Sequence, residues 1–181
     1  MYYEPSSEKF YNTVYDFRVD HRNTSYGELE SEEERNAHGL YTLYQPLPEY
    51  DQELQEIVPD GVEFRDGQYY RKYLVQAKNL TAEDYAAVML KRFTEALNKH
   101  LDDVAKQRRY DNRITCSLRA GYPGVFQAEG IAFAMWMDAC NAAAYQIWAD
   151  VRNGVRPIPV SIAAFLAELP TMEWPPSVIP Q

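Results

Sequence analysis

Residues 126–154, FQAEGIAFAMWMDACNAAAYQIWADVRNG, constrain the fold more than any other stretch of the chain. Between Ile131 and Ala149 there is one formal charge, Asp138, among mostly apolar side chains. A run of this kind is a membrane anchor, a core helix or a surface for another protein. Phe126, Gly130, Phe133, Met137, Cys140, Ala144, Ile147 and Val151 alternate steps of four and three, the spacing of a coiled-coil seam. A second apolar stripe, through Ile131, Met135, Ala142, Tyr145 and Ala149, lies beside it. An anchor is the weaker reading, because Asp138 at mid-segment would cost about 3 kcal/mol on insertion scales, and Asn141 and Gln146 add to that. The stretch therefore predicts a water-soluble helix that buries more than half of its circumference, with Asp138 paired to Arg113 or Arg119 of the preceding connector.

Two buried stripes need two covers. The segment LTAEDYAAVMLKRFTEALNKHLDDVAKQRRY supplies one as an antiparallel partner. Thr81 is its N-cap, acids fill its first turn, and Leu90, Phe93, Leu97, Leu101 and Val104 recur at helical steps. Lys106, Arg108 and Arg109 close its last turn. Gly121, Pro123 and Gly124 then break the chain. The second cover is a short helix in SIAAFLAELP, capped by Ser161 and ended before Pro170, or else another subunit or a partner. Burial within the fold is the preferred use, since most apolar helix faces end there. The small residues Gly130, Ala134, Ala142 and Ala149 would let another backbone approach closely.

The front of the chain has a different character. Eleven of the 15 tyrosines precede residue 80, in runs such as Leu40–Tyr44 and Tyr69–Tyr73 that read as short strands. In VEFRDGQYYRKYLV, Asp66-Gly67 suits a two-residue type I′ turn and sets Phe64 opposite Tyr69. In SEEERNAHG, Ser31 and Glu34 have capping-box spacing, and Gly39 can end the short helix in the left-handed region. The expected fold is α+β: a small β-rich, tyrosine-rich module over 1–80, a long antiparallel helical hairpin with a short third helix over 81–170, and an extended Pro-rich tail over 171–181. Four prolines between 170 and 180 keep that tail out of helix or central strand, leaving Trp174 and Ile179 as anchors on its own helices or on a partner.

Charge and motifs narrow the function. The net charge of −9 is concentrated in residues 1–80, with 16 acids against 8 bases. That balance argues against a phosphate-backbone ligand. The basic run from Lys106 to Arg119 reads as a solvated turn or the partner of an acidic neighbour. Two cysteines, Cys116 and Cys140, and no basic-then-apolar leader fit a reducing cytoplasm. The three histidines lack metal-ligand spacing, so neither metal nor cofactor is expected. No GxSxG, GxGxxG, GxxxxGKS or HExxH occurs, and the consecutive Glu32, Glu33 and Glu34 fan around a helix, so the expectation is a protein that is not an enzyme. Tyr69, Tyr70 and Tyr73 could serve a sugar if their rings were exposed together, or simply the core of a small sheet.

The segment from Arg109-Tyr110-Asp111 through Phe126-Gln127-Ala128-Glu129-Gly130, Trp136, Asp138-Ala139, Asp150-Val151, Gly154, Arg156, Pro159 and Leu169-Pro170 to Trp174-Pro175 resembles the helical C-terminal region of accessory and tail-fibre-assembly-type proteins of tailed bacteriophages. The front half, from MYYEPSSEKFY through RDGQYYRKYLV, resembles the short β-rich openings of such proteins more loosely. The resemblance implies a non-enzymatic protein that binds tail-fibre or baseplate subunits, made in the host cytoplasm and retained in the virion tail. It would be a homo-oligomer matching the symmetry of its site, with no nucleic acid bound and no membrane insertion. The alternatives are a transient fibre-assembly chaperone and, from the tyrosines, a carbohydrate-binding module. The side chains expected to meet a partner are Met135, Trp136, Tyr145, Trp148, Trp174 and Ile179.

Overall fold

The computed structural model describes residues 1–177. Two compact units make up the chain, Met1–Asn79 and Leu80–Gln181, and the fold is α+β.

The first unit is a curled five-stranded sheet with two short helices. Its strands are β1 (Tyr2–Glu4), β2 (Lys9–Tyr11), β3 (Tyr41–Tyr44), β4 (Gln55–Arg65) and β5 (Gln68–Ala77), in the order β2-β1-β3-β5-β4. All neighbours are antiparallel except β3 and β5, which run parallel. The β4–β5 turn is as the sequence predicts. Asp66 and Gly67 both have positive φ, 50° and 79°, and Phe64 pairs with Tyr69. Farther along, the register slips between Pro59 and Val62 at Gly61, whose φ is 85°. Helix α1 (Val14–Asp20) is held by a reciprocal Thr13–Asp16 capping box, and α2 (Glu32–Ala37) by the Ser31–Glu34 box. Tyr11, Phe17, Leu29 and Leu40 form the core, with Tyr2, Val14 and Tyr26 against it.

The second unit is helical. Helix α3 (Ala82–Lys106) begins at Thr81, whose hydroxyl accepts from the Asp84 amide at 3.0 Å. It buries Met89, Phe93, Leu97, Leu101, Val104 and Ala105. Leu90, expected on this face, is instead 40% exposed, since Met89 takes the inward position one residue earlier. The connector folds into α4 (Arg113–Ser117) and a single 3-10 turn, Leu118–Gly121, before α5 (Gln127–Arg152). Helices α3 and α5 pack together in opposite directions. Arg108 meets Glu129 at 3.5 Å, the His100 and Trp136 rings lie 5.7 Å apart, and Phe93 shares a hollow with Ile147 and Trp148. Three cations of the basic run meet acids nearby: besides Arg108, Arg113 pairs with Asp102 at 2.9 Å and Lys106 with Asp103 at 3.6 Å.

Three expectations for α5 need correction. It buries one stripe, not two: Gly130, Phe133, Trp136, Cys140 and Ile147 are inside, whereas Ile131, Met135, Ala142 and Tyr145 face out. Asp138 lies on the exposed side, so it needs no buried partner; Arg113 is engaged by Asp102, and Arg119 donates to the Tyr122 hydroxyl. Gly130 does admit a close backbone, but the neighbour is the unit's own connector, at Arg119 and Ala120. The short helix α6 (Ile162–Ala167), capped by Ser161, stacks its one buried side chain, Phe165, on Phe93 at 4.8 Å and 22°. It therefore covers α3 and leaves the outer stripe of α5 open.

Candidate functional site: the outward face of helix α5

The outer stripe follows from helical spacing. Residues 131, 135, 138, 142, 145 and 149 stand four and three apart, so one face carries Ile131, Met135, Asp138, Ala142, Tyr145 and Ala149. Ile131 is 43% exposed, Met135 69% and Tyr145 78%. Scattered apolar side chains on a surface need no explanation, but a repeat along 19 residues of one helix is a seam of the kind that docks on other chains. Asp138 puts a single charge at its middle. A partner face must leave that carboxylate in water or bring a cation to it, because an unpaired buried charge is strongly unfavourable.

The expected contact residues divide among three environments. Met135 and Tyr145 stand on the outer stripe. Trp148 lines a hollow between α3, α5 and α6, into which Tyr145 also borders. Trp136 is buried and its indole N–H donates to the Pro170 carbonyl at 2.8 Å. Trp174 is half-buried, stacked on Phe133 at 5.8 Å and 21°, beneath the Arg108 guanidinium at 5.3 Å. Arg108 also donates to the Pro175 carbonyl at 2.9 Å. Residues 171–177 thus lie on their own helices without regular structure, and Trp136 and Trp174 serve to hold them there. Ile179 lies outside the described residues.

A polar knot, missed in the sequence, fixes the start of α5. Glu129 is buried, with the Tyr110 hydroxyl donating to it at 2.9 Å and Arg108 across from it. Burial and the adjacent Glu129 push the Tyr110 phenol well above its ordinary range, so it remains a donor. The Arg108 Nη1 that faces Glu129 makes an ion pair without hydrogen-bond geometry. Nothing in the spacing of QAEG marks Glu129, since the partners arrive from the loop after α3. Cys116 and Cys140 are both buried and unpaired, and burial raises their thiols to about 12 and about 11. They are packing residues in this environment.

In the first unit Tyr69, Tyr70 and Tyr73 are each half-buried, and they do not all share one face. Tyr69 and Tyr70 are successive on β5 and so point to opposite faces. Tyr69 joins a row with Phe10, Tyr3, Tyr41 and Phe64, one aromatic from each strand, with neighbouring rings 4.8 to 5.4 Å apart. Tyr70 packs instead with Tyr44 and Arg65, while the Tyr73 hydroxyl donates to Gln45 at 3.2 Å. The same unit holds a second buried carboxylate, Glu4. It accepts hydrogen bonds from Ser7 and, at 3.0 Å, from Tyr11, and lies 3.0 Å from the His21 ring.

Among the described residues, no group of three His, Cys, Asp or Glu side chains is placed to hold a metal ion, and no helix is long and apolar enough to cross a membrane. The candidate surface is thus an apolar helix seam with one charge, flanked by a hollow. In the comparisons with known proteins, no family model, curated protein or solved structure matches the chain.

Proposed function

We propose that this protein is a non-enzymatic contact protein that docks other subunits on the outer stripe of α5. In the setting its sequence resemblance implies, those subunits are tail-fibre or baseplate proteins of a tailed bacteriophage, and the protein is a homo-oligomeric, resident part of the tail. The observation that carries the reading is the exposure of Ile131, Met135 and Tyr145 along one face of a helix whose opposite face buries Phe133, Trp136, Cys140 and Ile147. Burying each of these side chains at an interface contributes roughly 2 kcal/mol before the entropic cost of association. The charged surface of the first unit gives the complex its solubility until assembly.

The test is mass spectrometry of gradient-purified particles from the producing infection. Stoichiometric presence of the 21.0 kDa chain supports a resident tail protein. Abundance in the lysate with absence from particles would replace that reading with the transient assembly chaperone. A Met135→Glu/Tyr145→Glu variant should still fold but drop out of particles, and its normal incorporation would show that another surface does the docking.

A further inference from the structure

The hollow between α3, α5 and α6 is larger than the packing of a helical unit requires. Its volume is about 310 Å³. Protein interiors leave few voids bigger than a water molecule, and an apolar cavity of about 150 Å³ already accepts benzene. The walls are aromatic and aliphatic: Phe93 and Phe165, stacked on each other, with Trp148, Tyr145, Leu97 and Ile147. Three separate devices hold this shape. Thr81 caps α3, Ser161 caps α6, and Arg156 donates two 2.6 Å hydrogen bonds to Glu168, tying the end of α6 to the loop after α5.

The chemistry of the lining selects the occupant. None of the side chains around the hollow is charged. The hollow on the far flank of α3 is the contrast, with Glu95, Lys99 and Asp103 in its wall. Polar groups in the apolar hollow are few and specific. Thr94 and Asn141 each donate once, to the Leu90 and Met137 carbonyls, at 2.8 and 2.9 Å, which leaves the Asn141 oxygen as an acceptor and its second N–H as a donor. The Asn98 side-chain amide makes no hydrogen bond among the described residues. A pocket of apolar and aromatic walls with a small number of placed amides is the form that small-molecule sites take.

We infer that this hollow is a preformed binding site for an uncharged aromatic small molecule of one or two rings, oriented by the side-chain amides of Asn98 and Asn141. The site shares Tyr145 with the outer stripe of α5 and is otherwise separate from it, because the ligand enters between helices whereas Ile131 and Met135 lie along one. An ionised ligand is excluded, since nothing in the wall could compensate its lost hydration.

The experiment is a two-dimensional NMR titration of the full chain with indole, and in parallel with indole-3-acetate. It reads the side-chain amides of Asn98 and Asn141 and the indole N–H of Trp148. Indole should give saturable shifts at these three groups, and indole-3-acetate should bind at least tenfold more weakly. Asn98→Ala should weaken indole about five-fold, the effect of one lost hydrogen bond. Ala144→Phe fills the hollow and should abolish the shifts. Thr94→Phe closes the exposed rim and should do the same, so the result does not depend on the interior variant folding. Equal binding of the charged probe, retained binding in Thr94→Phe, or shifts confined to Ile131 and Met135 would each overturn the inference, as would the absence of saturable binding.

Discussion

A methyl group on Gly130 would sit 2.5 Å from the backbone nitrogen of Ala120 and 2.7 Å from the carbonyl carbon of Arg119. Helix propensity alone favours Gly→Ala by about 1 kcal/mol, so the two effects oppose each other. Steric overlap with fixed backbone wins, because neither atom is the end of a movable side chain. Gly130→Ala should therefore destabilise the protein by about 1–3 kcal/mol in urea denaturation. Glu4 is the buried carboxyl group of the first unit. Burial by itself would raise its carboxyl, but hydrogen bonds from Ser7 and Tyr11 and the neighbouring His21 outweigh that and hold it below the ordinary carboxylate value. A depressed folded-state pKa contributes stability above the unfolded value that is lost as pH falls through the folded one. Glu4→Gln should thus cost roughly 1–3 kcal/mol at pH 7, and the gap to wild type should narrow in denaturation curves taken below the ordinary carboxylate range.

At the scale of elements, α5 carries two faces of similar composition and opposite fate. Phe133→Ala, on the covered face, should cost about 3–5 kcal/mol through the cavity it leaves. Met135→Glu, two residues away, should stay within about 0.5 kcal/mol of wild type. Chemical denaturation of the two variants checks the assignment of faces, and a large loss for Met135→Glu would mean that the outer stripe is covered within the chain. Helix α3 relies on its cap. Thr81→Ala removes the acceptor for the Asp84 amide and should lower stability by about 1 kcal/mol.

At the scale of the molecule, the proposed docking surface is apolar while much of the rest is acidic. Association through such a seam responds weakly to salt, because little of it is charge pairing between exposed groups. Binding of the purified chain to its partner subunits should change little between low and high salt, and Met135→Glu/Tyr145→Glu should weaken it at both. Dissociation by salt alone would move the contact to the charged surface of the first unit.

Much of the architecture was legible because it is written in local rules. The Asp66-Gly67 turn, the Ser31–Glu34 box, the Thr81 and Ser161 caps and the 3.6-residue period of α3 each depend on neighbours within a few positions. The same logic sets Phe64 opposite Tyr69. What sequence could not assign was which groups meet from far apart. The apolar pattern of α5 contains two stripes, and nothing in it says which is covered; that depended on α3 and the connector packing on one of them, while α6 stacked Phe165 onto Phe93 of α3 and left the other open. Tyr69 and Tyr70 are equivalent as letters and are separated by the sheet. Glu129 could be buried with partners only because the loop after α3 brought Arg108 and Tyr110 to it. Local sequence determined the elements and their ends, because caps, turns and periodicity act over one turn of backbone. Tertiary structure alone decided burial, and hence the docking face and the hollow, because burial is a property of what packs against a residue from elsewhere in the chain.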